Sequence, residues 1–238
     1  MKRVTFVFAA ATATAVILSG CQAEQPVASD SSPSASSTPA QTDEPTAQES
    51  AQTWADETFG TFKAFTVTGS GADEIVLPDD AKSGFYAITW APGHWVNEDS
   101  YAQVYGEDGT FHEDGTADYQ GDSASVAYGL DPTVSSAGWI GVEAGAGDWS
   151  ITVSPISALP ALPETGGYDA YLYAGAEQPV VFSSTNAGRV NVRQFNGVDP
   201  TDSILPQEDF TAIGTLLAGP SVVNVQLESV SPWTRSTT

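Results

Sequence analysis

The densest group of side chains with chemical potential is an acidic run over residues 105–122, "YGEDGTFHEDGTADYQGD". Calcium prefers clustered carboxylate and carbonyl oxygens on a bent, glycine-containing loop. The candidate calcium ligands in this run are Asp108, Glu113, Asp114 and Asp118. The repeated Glu-Asp-Gly-Thr does not have the EF-hand spacing, and Asp-Gly is a favoured hairpin turn. A solvent-exposed hairpin loop without metal is therefore the alternative.

The sequence offers few residues for catalysis. Its two histidines are His94 and His112, and no Gly-x-Ser-x-Gly elbow occurs. A Ser-His-Asp arrangement needs a histidine placed between an acid and a nucleophilic serine. The single cysteine and the histidine spacing give no zinc pattern. A non-catalytic protein without a cofactor is favoured, and a hydrolase using a carboxylate pair such as Asp108 with Asp114 is the alternative.

Three tryptophans bear on ligand binding. Trp95 follows a Pro-Gly turn and precedes the polar segment Asn97–Ser100, so we expect it to be exposed. Exposed aromatic rings stack on sugar rings, which makes Trp95 a candidate ligand-binding residue; capping of a hydrophobic edge is the alternative. Trp139 and Trp149 lie in alternating segments and are expected to face the core.

The N-terminus has the pattern of an export signal. Lys2 and Arg3 precede an uncharged, Ala- and Val-rich run of 15 residues, Val4–Leu18. A membrane-spanning helix needs ~20 apolar residues, so this run is short for a span. It ends in Leu18-Ser19-Gly20-Cys21.

That ending resembles the lipobox of bacterial lipoproteins. The resemblance implies removal of residues 1–20 and attachment of a diacylglycerol to the Cys21 thiol. Cys21 is the only cysteine, so no internal disulfide can form. Stable anchoring takes more than one acyl chain, which a diacylglyceryl group provides. The expected location is the cell membrane, with the protein facing outside the cytoplasm.

Composition predicts a tether behind this anchor. Residues 21–53 are rich in Ser, Pro, Thr and Ala and contain no aromatic residue. Such a segment cannot bury enough apolar surface to offset its ordering entropy. As a flexible chain it would span about 30 Å. The folded body is expected to begin at residue 54.

Charge narrows the range of partners. The chain has 30 acidic and 7 basic residues, a formal net charge of −23. Nucleic-acid binding depends on Lys and Arg that neutralise phosphates. Adhesion to anionic headgroups likewise depends on basic residues. The balance argues against both, so the expected membrane contact is the N-terminal lipid alone.

Beyond residue 54 the hydrophobic period is two. Tyr86, Ile88 and Trp90 share one face of a strand opposite Phe85, Ala87 and Thr89. Trp149 and Ile151 alternate with Ser150 and Thr152. This alternation is typical of half-buried antiparallel strands. It predicts an all-β fold with one or two modules of sandwich or jelly-roll type. No helix longer than about two turns is indicated.

The predicted modules occupy residues 54–158 and 168–238, with a Pro/Gly connector over 159–167. "FYAITWAPGH" in the first and "VVFSSTNAGR" in the second are each followed later by a tryptophan-containing strand, at Trp149 and Trp233. The second module is therefore predicted to be a diverged repeat of the first. The alternative is that any two strand-rich segments look alike.

The connector contains Leu162-Pro163-Glu164-Thr165-Gly166. This pentapeptide resembles the signal by which sortases link proteins to bacterial cell walls. A working signal is expected to be followed closely by an apolar stretch and a basic tail, whereas 72 residues without either follow Gly166. We interpret the pentapeptide as part of a linker.

The first module also resembles known modules. Its ending, Gly-x-Trp-x-Ile-x-Val over residues 147–153, is similar to β-sandwich modules of secreted actinobacterial lipoproteins and, more faintly, to bacterial pre-peptidase C-terminal domains. Neither resemblance implies catalysis. The sequence predicts a lipid-anchored extracytoplasmic module that binds an envelope glycan or protein. The alternatives are a cell-surface glycan hydrolase and a calcium-dependent structural module.

Overall fold

The computed structural model describes most of the chain beyond residue 44. The described residues are 45–90, 101–118, 123–143, 147–185, 189–198, 200–201, 204–206, 210–227 and 232–237, with the backbone alone for 113–118 and 200–201. Residues 43–238 form one compact unit. The lipobox and most of the predicted tether lie outside the described residues.

The fold is all-β, as the sequence predicts, with four antiparallel sheets. The strands of the first half are β1 Phe65–Ser70, β2 Asp73–Val76, β3 Gly84–Trp90, β4 Tyr101–Gly106, β5 Phe111–Asp118, β6 Ser123–Tyr128, β7 Ala137–Glu143 and β8 Asp148–Ser154. Those of the second are β9 Thr165–Gly166, β10 Asp169–Tyr173, β11 Gln178–Ser184, β12 Val190–Phe195, β13 Pro200–Thr201, β14 Ile204–Pro206, β15 Thr211–Leu216, β16 Ser221–Leu227 and β17 Trp233–Thr237.

The first half is a two-sheet sandwich. One sheet has the order β1-β8-β3-β6 and the other β2-β7-β4-β5. Tyr86, Ile88 and Trp90 point inwards from β3 as predicted, and they pack against Ile140 and Val104 of the opposite sheet. Strict period-two alternation therefore fixes which side of each strand enters this core.

The second half repeats this topology. Its sheets have the orders β10-β16-β12-β13 and β14-β15-β11-β17-β9. In the second pair of sheets, β9–β13 take the places that β1–β5 have in the first pair, and β15–β17 take the places of β6–β8. Strand β14 is an additional edge strand next to β15. The segments paired in the sequence comparison, β3 with β11 and β8 with β17, have equivalent places in this scheme.

A tryptophan covers a glycine at the same place in each half. Trp149 pairs with Gly69, and Trp233 pairs with Gly166. A Cβ on either glycine would meet the indole ring, at 2.2 Å in the first half and 2.6 Å in the second. The indole N–H donates to Gly71 O at 2.9 Å from Trp149 and to Gly167 O at 2.6 Å from Trp233. Each buried indole thus gains a partner for its polar edge.

A helix precedes the first sandwich, which corrects the expectation that no helix of this length occurs. Helix α1 spans Ala47–Phe59, so it begins six residues before the predicted end of the tether at residue 53. Thr46 and Glu49 form a capping box, with the Thr46 N–H donating to Glu49 Oε2 at 2.7 Å. Such a box satisfies two backbone donors that would otherwise have no helical partner.

The helix lies where the two halves meet. Ala55 is fully buried in a third apolar cluster, which also contains Ile156 and Leu159 after β8 and the residues Ala127, Leu130, Ala170, Leu172, Phe195 and Val222. The small side chains of Ala51 and Ala55 allow the helix backbone to approach closely. This cluster joins the two sandwiches into the single compact unit.

A half-buried carboxylate also bridges the halves. Asp169 Oδ1 accepts hydrogen bonds from the backbone N–H of Ser125, at 3.1 Å, and from its hydroxyl, at 2.8 Å. The Tyr171 hydroxyl donates to the other oxygen at 3.2 Å. Burial raises the pKa of Asp169, although these hydrogen bonds oppose the shift. The bridge therefore connects the edge strand β6 to β10 at a desolvated position.

No described helix is long and apolar enough to cross a bilayer.

Deleting the first half of helix α1 tests its role in the junction. A fragment of residues 54–238 lacks the capping box and Ala51, and we expect it to melt about 5–10 °C below a fragment of residues 43–238. Thr46→Ala in the longer fragment removes only the cap, and its loss of about 1 kcal/mol should lower the melting temperature by about 2–4 °C. Circular dichroism melts measure both changes. Equal melting temperatures for the two fragments would show that α1 does not stabilise the body.

Candidate functional site

The most unusual described surface is the outer face of the sheet β2-β7-β4-β5. Four apolar side chains form a row across it, because Val76 pairs with Trp139, Trp139 with Tyr105, and Tyr105 with Phe111. We call this row the outer ladder. Val76 is 77% exposed and Phe111 is 42% exposed. Contiguous apolar side chains on a soluble surface mark binding sites more often than scattered ones do.

The centre of the outer ladder is an aromatic stack. The rings of Trp139 and Tyr105 are 3.9 Å apart between centroids and 8° from parallel. Both rings lean over Gly141, where a Cβ would lie 2.8 Å from Trp139 Cζ3 and 3.0 Å from Tyr105 Cε2. The Tyr105 hydroxyl donates to Gln103 Oε1 at 2.9 Å. The missing side chain at Gly141 therefore gives the two rings room to stack, and together they form one wall of the adjoining groove.

Beside this wall lies a groove of about 330 Å³. Strand register places Gly141 in the floor between Glu74 and Gln103, and places Glu143 opposite Tyr101 on the far side. The lining residues are Ala72, Asp73, Glu74, Tyr101, Tyr105, Trp139, Gly141, Val142 and Glu143. This volume is at the small end of the range of ligand sites, about 300–1,000 Å³.

The groove is acidic as well as aromatic. Three of its lining residues, Asp73, Glu74 and Glu143, carry carboxylates, and none of the lining residues that the structure describes is basic. Burial raises the pKa of the Tyr105 phenol, and Tyr101 and the Glu143 charge add to the shift. The phenol therefore remains a neutral hydroxyl in the ordinary pH range, while the exposed carboxylates supply negative charge.

A second, shallower depression lies at the end of the other sheet of this half. It has a volume of about 670 Å³ and is lined by Thr68, Gly69, Ser70, Thr89, Trp90, Asp148, Trp149 and Ser150. Trp90 and Trp149 are 5% and 3% exposed, so their rings belong to the core rather than to this surface. The remaining lining is small and polar and offers little to hold a ligand in one orientation.

The carboxylate of Asp108 is already engaged in hydrogen bonds within a turn. Its Oδ1 accepts from the Thr110 N–H at 2.9 Å and from the Ser135 hydroxyl at 2.9 Å. These hydrogen bonds hold the pKa of Asp108 below its usual value. Gly109, between β4 and β5, has φ +81°. A positive φ is expected of the glycine in an Asp-Gly hairpin turn. The hairpin that was the alternative to a calcium loop is present at this position.

The side chains of the other predicted calcium ligands of the acidic run are not among those that the structure describes. Glu113, Asp114 and Asp118 lie in β5, whose described side chains end at His112. Among the described side chains, no group of three or more His, Cys, Asp or Glu residues is placed to hold a metal ion. Calcium binding by the acidic run, and a hydrolase built on Asp108 with Asp114, remain predictions.

Cys21 and Trp95 lie outside the described residues, so lipid attachment and the exposure of Trp95 also remain predictions.

The expected core position of Trp149 is confirmed, but that of Trp139 is wrong. Trp149 is 3% exposed, whereas Trp139 faces outwards from β7 between the buried Gly138 and Ile140. In "GWIGVE" both alternating sets contain apolar or small residues, so the pattern does not decide which set is buried. Pairing with Val76 and Tyr105, which depends on strands far apart in sequence, reveals the outer ladder.

The pentapeptide Leu162–Gly166 is part of the second sandwich rather than a free linker. Its Thr165 and Gly166 form β9 and pair with Thr234 and Trp233 of β17. Arg235 N–H donates to Glu164 O at 2.7 Å. Leu162 packs against the second core. A modifying enzyme would have to detach this strand from its sheet before it could bind the pentapeptide.

No protein-family model matches the chain, and no curated protein matches its sequence. The outer ladder and its groove are therefore the features of the molecule that bear on its function.

The pairing of β9 predicts resistance to sortase. We expect the folded chain to be processed at least about a hundredfold more slowly than a free peptide of residues 159–169, because an opening cost of ~3 kcal/mol lowers the accessible population by that factor. Mass spectrometry of timed reactions measures both rates.

Two matched variants separate this protection from general stability. Trp233→Ala removes the side chain that covers Gly166 and should accelerate processing, while Trp149→Ala makes the equivalent change in the first half and should not. Processing of the folded chain at the rate of the peptide would contradict the structural role of β9.

Proposed function

We propose that this chain is a lipid-anchored lipoprotein of the bacterial envelope, located outside the cytoplasm, whose first sandwich binds an envelope glycan without catalysing a reaction. The lipid attachment at Cys21 follows from the resemblance of Leu18–Cys21 to a lipobox. The glycan-binding role rests on the outer ladder and its groove. A protein ligand is the competing occupant of the same surface.

The stacked pair of rings is the observation that carries this proposal. Sugar rings present flat apolar faces that pack on aromatic rings, and their hydroxyls need polar partners at the edges. The groove supplies both, with the Trp139 and Tyr105 wall on one side and Tyr101 and Glu143 on the other. The rings already lie in contact, so a ligand does not have to order them on binding.

The second half supports an interaction role for this face. Its equivalent row consists of Leu172, Val222 and Phe195, which pair in that order across β10, β16 and β12. This row is covered within the chain, by the cluster around Ala55. The corresponding row of the first half is partly exposed, which is the arrangement expected of a surface that receives an external ligand.

A glycan hydrolase is the second candidate, because two carboxylates flank the groove. Glu74 pairs with Gly141, and Glu143 lies two residues further along β7 on the same face. Such diagonal positions of a sheet lie about 7–8 Å apart, and the carboxyl groups of glycosidases are about 5–9.5 Å apart. Both side chains are exposed. The general acid of a glycosidase is instead placed in an apolar pocket, as in lysozyme, which favours binding over hydrolysis here.

Lipid anchoring is tested by replacing the modified residue. Cys21→Ala should move the protein from the membrane fraction to the soluble fraction of expressing cells, because the acyl chains provide the membrane affinity. Sedimentation followed by immunoblotting measures the distribution, and mass spectrometry of the wild type should show the lipid mass on the N-terminal fragment. An unmodified Cys21 thiol in the mature wild-type protein would contradict the anchor.

Glycan binding is tested at the aromatic stack. Trp139→Ala should weaken binding of full-length protein to purified envelope glycans by at least about tenfold, since loss of a central aromatic contact costs ~2 kcal/mol. Trp139→Phe keeps a flat ring and should retain binding within about threefold. Isothermal titration calorimetry measures the affinities.

Phe210→Ala is the matched control for this experiment, because Phe210 is 44% exposed but belongs to the second half. It should leave glycan affinity unchanged. Equal affinities for the wild type and Trp139→Ala would exclude the outer ladder as the binding face. Release of reducing ends from the glycan, abolished by Glu143→Gln, would replace the binding role by hydrolysis.

A further inference from the structure

The charge of the groove narrows the class of glycan that fits it. Asp73, Glu74 and Glu143 place three carboxylates along a groove whose described lining contains no basic residue. The chain as a whole has 30 acidic and 7 basic residues. Like charges repel, so an anionic glycan bearing phosphate or carboxylate groups is disfavoured here.

The aromatic wall also favours a positively charged ligand over an anionic one. A cation near the face of Trp or Tyr is attracted by the ring quadrupole, by about 0.5–2 kcal/mol depending on desolvation. Trp139 and Tyr105 form this wall, and Glu143 follows Gly141 by two residues on the same outer face of β7, where it pairs with Tyr101. A protonated amine on a ring stacked against the wall would contact both an aromatic face and a carboxylate.

We propose that the groove selects glycans whose rings carry free protonated amino groups, such as stretches of glucosamine, over glycans whose amines are acetylated or that are anionic. This inference rests on the proposed glycan-binding function and specifies its ligand. Acetylation removes the positive charge and adds bulk at the same nitrogen. The groove therefore discriminates by charge complementarity while the stack supplies affinity for either sugar.

A cationic peptide is the less suitable occupant of this groove. Peptides that bind sheets usually add a strand at a free edge and gain backbone hydrogen bonds there. This groove instead crosses β2, β7 and β4 on the face of the sheet, and the central strand β7 is already paired on both sides. Backbone donors and acceptors of β7 are thus engaged within the sheet, and side-chain contacts alone would hold a peptide.

The test compares oligomers of glucosamine and N-acetylglucosamine of equal length, with oligolysine as a third probe. Full-length protein in detergent is titrated calorimetrically in mildly acidic buffer, where the amines are protonated. We expect the glucosamine oligomer to bind about tenfold or more tightly than its acetylated counterpart. Glu143→Gln should weaken glucosamine binding about two- to fivefold, as expected for one exposed charge pair, and leave the acetylated oligomer unaffected.

Glu57→Gln is the matched charge control, because Glu57 is exposed on helix α1 and not part of the groove lining. If the preference for the glucosamine oligomer over the acetylated oligomer fell equally in Glu57→Gln and Glu143→Gln, it would reflect the net charge of the protein. That result would overturn the inference. Equal binding of both sugar oligomers, lost in Trp139→Ala, would overturn the inference and leave the glycan function intact. Binding of oligolysine alone, or of no probe, would overturn both.

Discussion

The constraint on which this structure depends is that an apolar outer face of a sheet must be covered. A sandwich buries only the inner faces of its two sheets, so Leu172, Val222 and Phe195 gain nothing from the core of their own half. They are buried because helix α1 and the edge strand β6 lie against them. Covering this face accounts for the helix before the first sandwich and for the close association of the two halves. Removal of water from apolar side chains is the main favourable term in both.

The first half has the equivalent strand order, but its apolar outer face is covered in a different way. Its row contains Trp139 and Tyr105, which cover each other and Gly141 rather than a second element among the described residues. Aromatic rings that stack over a glycine protect part of their own surface, so the sheet tolerates the exposure that remains. The carboxylates around the groove also keep this surface soluble. One topology thus provides a buried junction in one half and an accessible binding face in the other.

The inner faces could be predicted from sequence, whereas the outer ladder and the helix could not. Alternation at Tyr86, Ile88 and Trp90 is a local signal, and the structure confirms it. The side on which Trp139 lies depends on pairing with Val76 and Tyr105, which no local pattern contains. Helix α1 buries Ala51 and Ala55, residues that also fit a disordered composition. The local sequence pattern that does indicate the start of this helix is Thr46 followed three residues later by Glu49, which form its capping box. Such a pair is typical of a helix N-terminus. The predicted sites at Cys21 and Trp95 lie outside the described residues.

The pentapeptide Leu162–Gly166 shows how packing accounts for a short motif without the function that the motif resembles. Gly166 is required because a Cβ there would lie 2.3 Å from the Tyr171 hydroxyl and 2.6 Å from the Trp233 ring. Gly69 meets the same requirement opposite Trp149 in the first half, where no such pentapeptide occurs. Leu162 is placed by the second core, and Glu164 and Thr165 by backbone pairing with β17. Packing therefore gives a reason for the residue type at Leu162 and Gly166, and backbone pairing holds Glu164 and Thr165 in place whatever their side chains. The resemblance to a sorting signal needs no role in wall attachment.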